Sequence, residues 1–381
     1  MNRRGFLGYG CACGLGFVHP GAFSQTAVSR FNRPDIATDE GGLWALMDRE
    51  ETRLRRSPFS LQDRSLRDYV QDIACRLAGE HCPDIRVHLV RNPLFNASMA
   101  PNGMMQVWTG LILRAENEAQ LAAVIGHEIG HYLGRHSLER LRDIKSRSAF
   151  GQFLGLFGII GAIGQIAVIA GALAYSRDQE READEVGLAL MRKAGYEPAE
   201  ASKVWDNLLT ELKARPDGDP ATTNPLFATH PSPEERRDTL VKLALLNPGG
   251  ATHEEAWLQK TRPFRKEWLQ DELKRGQRDE SFALFTRMIA RFPAHAEVRY
   301  ARGEMHRLRG AEGDLDAALA DFGAAVSIGD EPPETHRGLG MIQRLRKDAQ
   351  AAKSSFERYL QLAPNAADSA MIKTYLEDPV S

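Results

Sequence analysis

The stretch Glu118-Ala-Gln-Leu-Ala-Ala-Val-Ile-Gly-His127-Glu128-Ile-Gly-His131-Tyr-Leu133 decides how this chain is read. Leu121, Val124, Ile125, Ile129 and Leu133 fall on one stripe at helical spacing, and Asn117 stands where it can cap the first turn. A helix here sets His127 and His131 one turn apart on the same face, so both imidazoles reach one tetrahedral Zn2+. Glu128 sits beside them and can take a proton from the water that such a metal acidifies. Gly130 is expected to leave room at the metal-facing surface.

Two histidines do not complete a metal site. A histidine at position 137 would give the metzincin spacing HExxHxxGxxH, but that residue is Ser137, and His136 falls one short. If the helix continues, His136 lies about 180° from His127 and cannot share the metal. It then reads as a surface or second-layer residue. A better third ligand comes 49 residues after His131, in Glu180-Arg-Glu-Ala-Asp184. Glu180 and Asp184 share a helix face, whereas Glu182 points roughly the other way. Alone, such a run is a solvated acidic face. In a chain that carries HExxH, Glu180 reads as a metal ligand. Asp184 reads as the group that accepts a hydrogen bond from a ligand histidine and fixes its orientation.

The 381 residues predict two or three domains, and 43% hydrophobic with 26% charged residues describes a globular chain. The 49 Lys+Arg nearly balance 51 Asp+Glu, a net charge of −2 that argues against nucleic acid as the main partner. At the N-terminus, Arg3 and Arg4 precede a weakly apolar, glycine-rich run, and no acidic residue appears before Asp35. Ala22-Phe23-Ser24 supplies small residues for cleavage, so residues 1–24 read as an export signal of twin-arginine type. Its removal takes away Cys11 and Cys13. Cys75 and Cys82 remain, either joined across a small loop that Gly79 allows or as two free thiols.

Residues 40–78 read as helical, Ile85–Val90 and Met104–Trp108 as strands, and Asn96–Asn102 as loop. Residues 148–176 carry no charged side chain and are long enough to span a bilayer. His131 precedes this segment and Glu180 follows it. A single crossing would separate two ligands of one ion, and 29 residues cannot cross twice at about 20 each. The segment therefore packs over the cleft as a lid or dips into the membrane from one side. From Glu267 to Glu377 the chain repeats itself, with Phe285, Phe322 and Phe356 spaced by 37 and 34 residues. Leu339-Gly340, Ala352, Phe356 and Pro364 suit a tetratricopeptide repeat over residues 333–366.

HEIGH followed by EREAD resembles metallopeptidase family forty-eight, the family of the CAAX prenyl proteases and of HtpX. The resemblance runs from about Asn92 to Arg236 and includes Asn96-Ala97, Pro101-Asn102-Gly103, Gly110-Leu111 and Ala194-Gly195-Tyr196. The export signal and helical repeats are similar to its periplasmic, BepA-like branch. That branch implies a role for Thr229-His230-Pro231, which read alone is a turn. By resemblance, His230 occupies the fourth zinc position at rest or stabilises the oxyanion once it swings away, and Arg236 supports its loop.

The expected fold is mainly α (α+β). A gluzincin-type zinc metallopeptidase domain with a small β-sheet spans residues 25–262, and tetratricopeptide-like helical repeats span 263–381. His127, His131 and Glu180 are the expected metal ligands for one Zn2+. Glu128 and His230 are the catalytic residues, and Asp184 and Arg236 support them. The expected activity is endopeptidase cleavage of unfolded or misassembled envelope proteins in the periplasm, with substrate lying extended along an edge strand near Met104–Trp108. A protein partner at the repeats and peripheral membrane contact accompany this reading; nucleic acid does not. Two other functions share these motifs: a chaperone or assembly adaptor whose peptidase is held off by His230, and a scaffold that retains the motif without proteolysis.

Overall fold

The fold is described by a computed structural model covering residues 33–145, 175–215, 226, 230 and 233–377. The expected export signal and almost all of the uncharged segment lie outside the described residues. Two helices open it, α1 (Asp39–Arg55) and α2 (Arg64–Ala78). The sequence reads as helical throughout this region, but the chain breaks at Ser57-Pro58, and Asp63 caps α2 through Leu66 N. Cys75 and Cys82 are joined as a disulfide where α2 ends at Gly79, whose φ of 59° is easily reached without a Cβ.

Three strands follow: β1 (Arg86–Val90), β2 (Ala97–Met99) and β3 (Met104–Trp108). Their order is β1-β3-β2, with β3 parallel to β1 and antiparallel to β2. Met104–Trp108 is thus the central strand and not the edge expected for substrate. Among the described residues the edge on that side is Ala97–Met99, which the sequence hides as loop because it is three residues long. The β2–β3 turn closes through Gly103, where a Cβ would stand 2.1 Å from Asp84 O.

The short α3 (Thr109–Arg114) leads into α4 (Glu118–Leu133), capped as expected by Asn117 onto Gln120 N. Nearly every residue of α4 is buried, its polar Glu118, Gln120, His127, Glu128 and His131 included. Next come α5 (His136–Lys145), α6 (Arg177–Lys193), α7 (Glu200–Lys213) and α8 (Pro233–Leu245). Ser176 and Gln179 form a reciprocal capping box at the start of α6. Among the described residues, no helix is long and apolar enough to cross a membrane.

The C-terminal part is helical throughout: α9 (Glu254–Lys274), α10 (Arg278–Arg291), α11 (Ala296–Arg309), α12 (Asp314–Ile328), α13 (Glu334–Leu345), α14 (Ala349–Leu362) and α15 (Ser369–Glu377). Gly303 lies against the Phe322 ring and Gly340 against the Phe356 ring, so α11–α12 and α13–α14 pack as close hairpins. The expected boundary at 262/263 falls inside α9. One hydrophobic core runs from Leu66 and Ile125 through Trp257 and Trp268 to Phe285 and Val298, tying α9–α11 to the α4 region.

Candidate metal centre

Helices α4 and α6 cross at close range because three glycines remove the side chains between them. A Cβ on Gly130 would stand 2.8 Å from Ala183 O, and one on Gly187 would stand 2.8 Å from His127 N. Gly130 therefore faces α6 and not the metal; its role is to let Glu180 and Asp184 approach the histidines.

The expected ligands converge. His127 Nε2 lies 3.0 Å from His131 Nε2 and 3.5 Å from Glu180 Oε2, and His131 Nε2 lies 3.3 Å from Glu180 Oε1. His230, held by its N–H donating to Leu226 O, brings Nδ1 to 3.2 Å from His127 Nε2 and 2.9 Å from Glu180 Oε1. One ligand atom from each of these four residues falls within 4.8 Å of all the others. All four residues are between 1 and 4% exposed.

Behind them stands a second layer. His127 Nδ1 is 2.9 Å from Asp184 Oδ1, which fixes the tautomer and aims the Nε2 lone pair into the cluster. Arg236 donates twice to Asp184, at 2.6 and 3.0 Å, and reaches Glu180 Oε2 at 3.2 Å while its guanidinium stacks 4.1 Å over the Trp205 ring. Glu128 is buried with Oε1 3.6 Å from His230 Nε2, and the backbone N–H of Met99 on β2 donates to its carboxylate.

The protonation states of His127, His131 and Glu180 suit a cation, whereas for His230 burial is outweighed by the carboxylates of Glu180 and Glu128, which raise it. Burial pushes His127 down to about 4, helped by the charge of Arg236, and it holds His131 well below its ordinary value. Burial alone would raise Glu180, but His230, Arg236 and the hydrogen bonds from His131 and His230 hold it well below the usual carboxylate range. Burial and the neighbouring Glu180 push Glu128 up to about 7, against the pull of His230, Arg236 and Met99 N–H. Neutral imidazoles beside an ionised carboxylate are the forms that bind a metal. Among the described residues Glu180 Oε2 accepts no aligned hydrogen bond, although Arg236 lies 3.2 Å away, and three imidazole nitrogens crowd round the carboxylate, an arrangement that a cation satisfies. The donor set of imidazole nitrogens and one carboxylate fits Zn2+.

Sequence reasoning missed two contributors, Tyr175 and Met99, and left His136 open between the surface and the second layer; the structure puts it in the second layer. The helix does not continue past Leu133, so His136 turns back and its Nδ1 comes to 2.9 Å from His131 Nδ1. Tyr175 stacks on the His131 ring with centroids 3.8 Å apart, and its hydroxyl meets Ser137 Oγ at 2.9 Å. Met99 reaches Glu128 from an edge strand read as loop. Gly134 after the last apolar residue was a readable stop signal; nothing in the sequence pointed to Tyr175 or Met99.

Comparison with known proteins agrees with this geometry. Residues 60–244 match peptidase family M48. The chain is 27% identical to the β-barrel assembly-enhancing protease of Escherichia coli over 247 residues, covering 58% of this chain and 48% of that protein. It is 32% identical to the mitochondrial metalloendopeptidase OMA1 of Arabidopsis thaliana over 174 residues, covering 45% and 34%. The putative β-barrel assembly-enhancing protease of Vibrio cholerae is 27% identical over 226 residues, covering 53% and 45%. The chain thus spans a third to a half of the length of these relatives. The stretch that matches peptidase family M48, residues 60–244, contains all four converging side chains.

Proposed function

We propose that this protein is an exported zinc-dependent metalloendopeptidase that hydrolyses unfolded or misassembled envelope proteins. The observation that carries the proposal is the convergence of His127, His131 and Glu180 with the Glu128 carboxyl beside them. One Zn2+ held by the three would supply Lewis-acid polarisation of the peptide carbonyl and of the attacking water. Glu128 holds the proton taken from that water and delivers it to the leaving amine, a task that suits a carboxyl whose pKa lies near neutrality. Asp184 and Arg236 keep the His127 ring fixed during this transfer. Substrate lies extended along the Ala97–Met99 edge, next to Glu128. The relatives whose names speak of β-barrel assembly support envelope proteins as substrates and the periplasm as the location. The helical hairpins after α9, read as tetratricopeptide repeats, offer a surface for a protein partner, and peripheral membrane contact belongs to the uncharged segment.

Purified chain should contain one zinc and cleave casein. Glu128→Gln should keep the zinc and lose activity by roughly two to four orders of magnitude. His127→Ala, His131→Ala and Glu180→Ala should each lose the metal. Wild-type protein that binds zinc yet leaves casein intact would favour the second reading, an assembly adaptor with a self-inhibited site. The placement of His230 within the ligand cluster supports that alternative.

A further inference from the structure

The turn that ends α4 builds a support for one ligand only. Gly134 keeps a right-handed conformation, Arg135 adopts φ 57° with its guanidinium paired to Glu40, and α5 begins at His136. The reversal carries the His136 ring, 2% exposed, back beneath His131. It also sets Ser137 against the Tyr175 hydroxyl, and the Tyr175 ring covers the face of His131.

The hydrogen positions along this chain of groups follow from one another. His131 presents Nε2 to His127 and Glu180, so with a metal at that nitrogen its proton must sit on Nδ1. The neighbour at 2.9 Å is His136 Nδ1, which must therefore accept and carry its own proton on Nε2. That Nε2 lies 3.4 Å from the carboxylate of Glu182. Glu182 points away from the metal, as the helix spacing requires, yet it ends the line His131–His136–Glu182. His127 has a carboxylate directly behind it in Asp184; His131 has a histidine in that place, and the carboxylate one step further.

We propose that His136 is a positioning residue for the ligand His131: it fixes the tautomer and the ring plane through Nδ1 and is itself oriented by Glu182. The inference rests on the metal-centre reading above. Gly134 belongs to the same device, because a Cβ there would stand 2.4 Å from His136 Nε2 and push the ring out of line.

The test is zinc affinity of the full chain, measured by competition with a chromophoric chelator. Asparagine carries its carbonyl oxygen where His136 has Nδ1, whereas glutamine carries its oxygen where His136 has Nε2. His136→Asn should therefore bind zinc within about threefold of wild type. His136→Gln and His136→Ala should weaken binding by roughly 10- to 100-fold, the usual cost of losing such a partner. Gly134→Ala, which leaves every hydrogen-bonding group in place, should weaken it similarly. A residue that only fills space would behave in the opposite order, since glutamine fills the site better than asparagine. Equal affinity for the asparagine and glutamine variants, or unchanged affinity in Gly134→Ala, overturns the proposal while leaving the metal centre intact. Wild-type protein that takes up no zinc overturns the metal centre and the proposal together.

Discussion

Replacing Gly187 by alanine tests whether the α4–α6 crossing makes the metal centre. The new Cβ would stand 2.8 Å from His127 N and 2.9 Å from Gly126 C, where ordinary contact begins at 3.4 Å. Both neighbours are backbone atoms of a buried helix and cannot swing aside, so α6 must move by about 0.6 Å. Glu180 and Asp184 ride on α6 within two turns of Gly187 and move with it. Metal–ligand distances tolerate only about 0.2 Å. Zinc affinity should therefore fall by roughly 10- to 100-fold. Stability is the poorer readout, because alanine gains about 1 kcal/mol of helix propensity over glycine while overpacking costs about 1–3 kcal/mol. Gly323→Ala is the control: it sits inside α12 with nothing within 4 Å of a new Cβ, and it should stabilise the protein without touching zinc. The assay is chelator competition on both variants beside wild type. Gly187→Ala binding zinc within threefold of wild type would refute the idea that glycine-limited helix approach sets the ligand geometry.

Three further outcomes are expected. His230→Ala should raise basal peptidase activity, because the ring stands among the ligands where water must enter; a fall of one to three orders of magnitude with zinc retained would instead assign it to oxyanion stabilisation. Arg114→Met should destabilise the fold by about 1–3 kcal/mol in urea denaturation, since buried Glu211 and Glu272 each lose a charged partner, at 2.7 and 3.0 Å, and keep only Arg287 and the Arg275–Ser281 pair. A loss under 1 kcal/mol would mean that water reaches the pair. Glu51 is held at about 2 because hydrogen bonds from Arg86 and His88 outweigh the effect of burial, so its contribution is complete above its unfolded value of 4.5 and disappears as pH falls toward 2. Wild type should exceed Glu51→Gln by about 1–2 kcal/mol at pH 6, after solvent screening is discounted, and the gap should close near pH 2; a gap independent of pH would assign it to packing alone.

What the sequence made legible follows the range of each interaction. His127, Glu128, His131, Glu180 and Asp184 are fixed by helical spacing within two helices, and periodicity finds such sets. The disulfide between Cys75 and Cys82 was open because seven residues of separation permit a bridge without demanding one. Features that depend on where the chain turns or what packs across it were out of reach. His136 was open between surface and second layer because its position depended on whether α4 continued, and Gly134 with the left-handed Arg135 ends it. The substrate edge was assigned to Met104–Trp108 because a three-residue strand at Ala97–Met99 has too short an alternation to register. Gly130 was legible as a demand for space and illegible as to whose space, since Ala183 lies 53 positions further along. Repeat spacing marks a unit of sequence and does not register packing across it: Trp257, Trp268 and Phe285 share one core with Leu66 and Ile125. Arg114, reaching Glu211 on α7 and Glu272 on α9, ties that core across the expected boundary. The helices nearest the peptidase part are therefore built into its stability, and α12 is joined to them through the Gly303–Phe322 contact and the Arg302–Asp321 pair of the α11–α12 hairpin.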